Sequence, residues 1–160
     1  MTKISELTAK GNYFEDFEIG AVIKHARGKT ITPLENVLIT NMVMNTAAGH
    51  FDEHVMSTTP WGKIISYGGV NFSLVLGLAS QDCCENAIRE LGLDEVKLSK
   101  SVHHGDTLYA YTEVLEKHDS DQPDAGIILF DHMGVNQRDE VCVRVKRRVL
   151  VKRKSHWGNK

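Results

Sequence analysis

The chain has 160 residues, 41% of them apolar and 25% charged, with a formal net charge of −2. That length fills one hydrophobic core but not two, and the balance excludes a disordered or fibrous chain. A charge so close to zero points to no polyanionic partner.

The first dozen residues are polar and read as loose, with Ser155 to Lys160 as a second loose end; one domain is expected over residues 1–160. Ala21 to Ile31 carries the β-branched residues of a strand, and Thr32 before Pro33 reads as the N-cap of a helix reaching about Met44. Val37, Leu38, Asn41 and Met42 are expected on one apolar face of that helix. Gly49 to Gly62 is polar and irregular. Val70 to Cys84 is apolar on nearly every side, the pattern of a buried helix, and it follows Gly68-Gly69, where the backbone can turn sharply. Four strands follow at 95–102, 107–116, 126–136 and 140–151, the last alternating Val141, Val143, Val145, Val149 and Val151 with Arg144, Lys146 and Arg148. The order describes an α+β fold in which a curved antiparallel sheet wraps a long central helix.

No apolar run approaches the roughly 20 residues that cross a bilayer, and the opening lacks the apolar stretch of a secretory leader. A cytoplasmic protein with no membrane partner is expected. Cys83, Cys84 and Cys142 form no disulfide framework and read as reduced, buried or half-buried thiols. The basic run from Arg144 to Lys154 lacks interleaved aromatics and reads as a solvated strand face, so no nucleic acid is expected.

The chemistry-bearing stretch is NTAAGHFDEHVMSTTPWGKIISYGG, from Asn45 to Gly69. Its spacing resembles the MaoC-like (R)-specific enoyl-CoA hydratases of the hot-dog fold, whose signature is D-x-N-P-x-H-x-D, an aromatic residue, and H-G opening the central helix. His50 falls on the catalytic histidine, Asp52 on the following aspartate, Trp61 on the aromatic and Gly68 on the glycine, without a gap. The flanks, GNYFEDFEIG, GDTLYAYTEV and GVNQRDE, look most like the branch acting on branched or dicarboxylic enoyl-CoA esters such as mesaconyl-CoA. Asn45 stands where the family has its catalytic aspartate, Tyr67 where it has the histidine before the glycine, and Ala47-Ala48 replace its Asn-Pro.

The resemblance implies a hydratase or dehydratase of a short enoyl-CoA, with coenzyme A as part of the substrate and no separate cofactor or metal. Such chemistry needs a base for water, an acid for the α-carbon and donors for the enolate-like oxygen. His50 is the candidate base, with Asn45 positioning and Tyr67 or Asp52 helping. Gly68 and Gly69 would present helix N-terminal N–H groups to the thioester. Trp61 belongs to the expected substrate-binding set, and Lys63 or Arg27 would meet a substrate carboxylate. Because an amide does not ionise as a carboxylate does, a non-catalytic acyl-CoA-binding subunit is the alternative reading, and a hot-dog thioesterase is a third. His50 to His54 also spells H-x-x-E-H, a zinc pattern that needs one long helix. His103-His104 before Gly105-Asp106 read as a turn. An unpaired edge strand, together with the resemblance, implies a homodimer.

Overall fold

The computed structural model describes residues 2–4 and 12–158. Strands β1 (Thr2–Ile4), β2 (Val22–Thr30), β3 (Ala87–Leu98), β4 (Thr107–Asp119), β5 (Ala125–Asn136) and β6 (Val141–Lys152) form one sheet in the order β1-β2-β4-β5-β6-β3. All pairs are antiparallel except β1 with β2. Helices α1 (Pro33–Met42) and α2 (Glu53–Ser57) lie between β2 and the long helix α3 (Gly68–Cys83), which packs across β2 to β6, and α4 (Lys154–Trp157) closes the described chain. This is the expected helix in a wrapped sheet.

Local chemistry explains the boundaries. The Thr32 hydroxyl accepts from Glu35 N–H while the Glu35 carboxylate accepts from Thr32 N–H, a capping box with Pro33 in the first turn. In β6, Val143, Val145, Val149 and Val151 are fully buried and Val141 is exposed at the strand's start. Val75 and Leu108 centre one apolar cluster, and Phe130 with Val114 centres a second nearer the end of α3.

Four expectations change. The third strand starts at Ala87 and ends at Leu98 rather than spanning 95–102. Its register with β6 slips three times and Glu95 takes a positive φ of 50°, so the period of two that would reveal it in sequence is broken. Of the ends expected to be loose, Thr2–Ile4 and Lys154–Trp157 are regular elements, while residues 1, 5–11 and 159–160 lie outside the described residues. Helix α3 is buried along one face; Ser73, Gly77 and Gln81 fall on an exposed stripe. Helix α1 turns Asn36 and Thr40 inward, leaving Leu34, Leu38 and Met42 in the open.

The basic run is not a free cationic face. Arg144 pairs with Asp131, Lys146 with Glu95, Arg148 with Asp94 and Arg153 with Asp119, while Arg147 points inward to Glu90. Among the described residues no helix is long and apolar enough to cross a membrane.

The turn at His103 to Asp106, just before β4, is tied to the turn that joins β5 to β6. Asp106, 6% exposed, accepts from His103 N–H at 3.0 Å, Gln137 Nε2 at 2.6 Å and Arg138 at 2.9 Å. Burial pushes its carboxyl up, but the Arg138 and Gln137 donors and the His103 N–H outweigh it and hold the pKa at about 2. The unfolded chain takes up this proton near pH 4 and the folded one near pH 2. The stabilisation, about 2 kcal/mol, is therefore full above pH 4 and lost as pH falls to 2. Denaturant unfolding of wild type and Asp106→Asn across pH 6 to 2 should show the wild type losing its advantage in that window.

Candidate active site

The site is assembled where the chain leaves α1. Met44 takes a positive φ of 56°, Asn45 N–H bonds Thr40 O at 2.9 Å, and the Asn45 side-chain oxygen accepts from Ala47 N–H at 3.1 Å. That short loop leads into a single 3-10 turn, Ala48–His50. Asp52 then caps α2, its carboxylate accepting from Val55 N–H at 2.9 Å.

His50 is half-buried and held on both sides. Its Nδ1 lies 2.8 Å from Ile65 O; a carbonyl only accepts, so Nδ1 carries the proton and the neutral ring keeps its lone pair on Nε2. Ile65 N–H returns to Gly49 O at 3.0 Å. The His50 and Tyr67 rings meet with centroids 5.4 Å apart, tilted by 58°.

Asn36 of α1 ties the two segments together. It is fully buried; its amide donates to His50 O at 2.8 Å and its oxygen accepts from Tyr67 N–H at 2.8 Å. Tyr67 precedes α3, and its carbonyl takes the N–H groups of Val70 and Asn71. The N–H groups of Gly68 and Gly69 lie at the N-terminal end, where a helix offers no internal acceptor and its dipole favours negative charge. A Cβ on Gly69 would run into the Tyr67 ring, and one on Gly68 into Leu98 of β3. Ser66 beneath them donates to Asn71 Oδ1 at 2.8 Å.

The fold thus gathers His50, Tyr67, Gly68 and Gly69. Asn45 lies five residues before His50 with its side chain engaged by Ala47, Asp52 is engaged as a cap, Trp61 is 54% exposed, and Lys63 is exposed on the following turn. Sequence reasoning missed Asn36 and Leu98. Asn36 spaced four from Thr40 was the available signal for a polar, inward face on α1. His50 and His54 fall in different elements, so the single helix required by the H-x-x-E-H reading is absent from this described stretch.

A cavity of about 510 Å³ runs beside α3, between it, β2 and α1. Ile31, Ile39, Val70, Leu74 and Leu78 give it apolar walls, and Arg27 lies on its β2 side. Its lining on α3 begins at Val70, two residues after Gly68, and His50 does not line it.

The family model described as mesaconyl-CoA hydratase matches residues 24–153. A mesaconyl-CoA hydratase of Haloarcula marismortui is 29% identical over 92% of this chain and 44% of its own length. A beta-methylmalyl-CoA dehydratase of Chloroflexus aurantiacus is 30% identical over 94% of this chain and 43% of its own. The crystal structure of a MaoC domain protein from Chloroflexus aurantiacus superposes with a TM-score of 0.87 at 29% identity, covering 94% of this chain and 43% of that one. The chain therefore spans less than half the length of the curated relatives it matches. With the family model covering most of the sequence and a sheet wrapped on α3 in the same way, the chain belongs to the mesaconyl-CoA hydratase family and has the MaoC-like hot-dog fold.

Proposed function

We propose that the chain adds water to, or removes it from, a short branched or dicarboxylic enoyl-CoA thioester. The observation that carries this reading is the placement of His50, with a free Nε2 lone pair, against Tyr67 at the N-terminus of α3. In this reading the N–H groups of Gly68 and Gly69 hold the thioester oxygen as negative charge develops there. His50 takes the proton from water as the water oxygen adds to the β-carbon, the protonated imidazole then gives that proton to the α-carbon, and Asn45 positions the water. The cavity beside α3 receives the acyl part, with Arg27 as the cation for a distal carboxylate. Lys63, Trp61 and Asp52 are left to the outer part of the site. Coenzyme A enters as part of the substrate, and no separate cofactor has a role in this chemistry. The cytoplasm is the proposed location.

Absorbance of the conjugated thioester tests the reaction directly. With crotonyl-, mesaconyl- and itaconyl-type CoA esters, wild type is expected to consume the branched dicarboxylic ester fastest. Asn45→Asp restores a second ionisable group and should raise kcat, with general acid–base assistance setting an upper scale of about 10²–10⁴-fold. Binding without turnover in wild type, with turnover appearing in Asn45→Asp, would instead favour the non-catalytic subunit. Release of free thiol would mark a thioesterase.

We further propose a homodimer. Strand β3 ends the sheet and exposes Ile88, Leu93, Val96 and Leu98 along an open edge. The relatives' greater length leaves room for a second unit beside this one. Light scattering at micromolar concentration should give twice the chain mass of 17.9 kDa; the mass of one chain would refute it.

A further inference from the structure

Five side chains outside the candidate active site meet between α3 and the sheet. Strand β2 loses register with β4 between Lys24 and Gly28, and within this irregularity His25 turns inward, where it is 2% exposed. Thr112 of β4 and His132 of β5 are cross-strand partners, both fully buried. The last turn of α3 adds Asp82 and Cys83 from the opposite side.

Their hydrogen bonds run in one direction. With Asp82 ionised, its carboxylate accepts from His25 Nδ1 at 2.6 Å. His25 Nε2 is then left to accept from the Thr112 hydroxyl at 2.7 Å, whose oxygen accepts from His132 Nδ1 at 2.7 Å. The series ends on His132 Nε2, a buried lone pair without a hydrogen-bond donor among the described residues. This nitrogen is buried and aimed at the cluster, so its lone pair is available to a ligand.

One ligand atom from each of His25, Cys83 and His132 lies within 4.8 Å of the other two. We propose that these three side chains form a binding site for a divalent ion of the zinc type. Two imidazoles and a thiolate are a donor set such an ion accepts. His25 already has the orientation of a ligating imidazole, giving its other N–H to a carboxylate. The charges close as well: the ion's two are met by the Cys83 thiolate and the Asp82 carboxylate, while Arg147 nearby is paired with Glu90 at 3.0 Å.

Binding exchanges the Cys83 S–H bond for a sulfur–metal bond and releases the proton, with no change of oxidation state. Metal bonds of about 2.0–2.3 Å require the donors to draw together. The Thr112 hydroxyl, now between the imidazoles, becomes a fourth donor or rotates aside. Asp82 also lines the cavity beside α3, which gives an ion its approach.

The test uses the whole chain, dialysed against chelator and incubated with cobalt(II) or zinc(II). Cobalt should produce a thiolate-to-metal charge-transfer band that saturates at one equivalent and is displaced by zinc, and zinc should raise the unfolding temperature. Cys83→Ser should abolish the band while Cys84→Ser keeps it, with circular dichroism checking that each variant folds. If Cys83→Ser does not fold, His132→Gln takes its place. A folded wild type that shows no band and retains no zinc overturns the site, as does a band that survives Cys83→Ser. The cluster is then a buried hydrogen-bonded spine, whatever the fate of the hydratase assay.

Discussion

Replacing His50 by alanine is expected to lower kcat for the proposed enoyl-CoA reaction by about 10²–10⁴-fold, a barrier increase of about 3–5 kcal/mol. KM should change little, because the expected thioester contacts come from the backbone of α3 rather than from the imidazole. The substitution also removes the bond to Ile65 O, so His50→Gln is the companion variant. Its side-chain amide can donate to that carbonyl, but it cannot serve as a base near neutral pH. A base at His50 predicts that both variants are inactive. An activity restored by glutamine would mean that the histidine only holds the loop. Stopped-time assays at saturating substrate, with binding of a non-reactive acyl-CoA measured separately, distinguish the two.

The second large effect is expected at Asn36, which holds the backbone of His50 and Tyr67. Asn36→Ala strands two backbone groups, His50 O and Tyr67 N–H, at a residue with no exposure. Leaving a buried donor or acceptor unmet costs about 1–3 kcal/mol each, so a loss of about 2–5 kcal/mol is expected in urea unfolding. The same change frees the histidine segment from the start of α3. A misplacement of about 1 Å between catalytic groups can cost about 10²-fold, so kcat should fall at temperatures where the variant remains folded. Asn36→Asp keeps the acceptor for Tyr67 but, when ionised, cannot donate to His50 O. It separates the contributions of the two bonds.

Local patterns carried most of the architecture. The N-cap at Thr32, the valine alternation in β6 and the glycine pair at the start of α3 each express a single physical rule, although α3 opens at Gly68 itself rather than after Gly69. Strand β3 did not reveal itself because three register slips destroy its period. The face of α1 was misread because hydrogen bonding, not apolarity, sets which side of that helix is buried. Asn36 goes inward to satisfy two backbone groups from other segments, which forces Leu38 and Met42 outward. Less of the candidate site was legible. The spacing from His50 to Gly68 is a sequence property, and the fold brings that pair of segments together. The bond between His50 and Ile65 O, and the meeting of His25, Cys83 and His132, depend on tertiary register that no window of sequence contains.

The donation from His50 Nδ1 to Ile65 O also bears on how a proton would travel. With its proton on Nδ1 the neutral ring donates there, and the protonated ring does too, so taking up a proton at Nε2 leaves that bond intact. In the proposed reaction the ring would gain and lose that proton without flipping or exchanging a protein partner. In that proposal little internal reorganisation would accompany the proton's arrival, and the same nitrogen that would take it from water would be positioned to return it in the reverse direction.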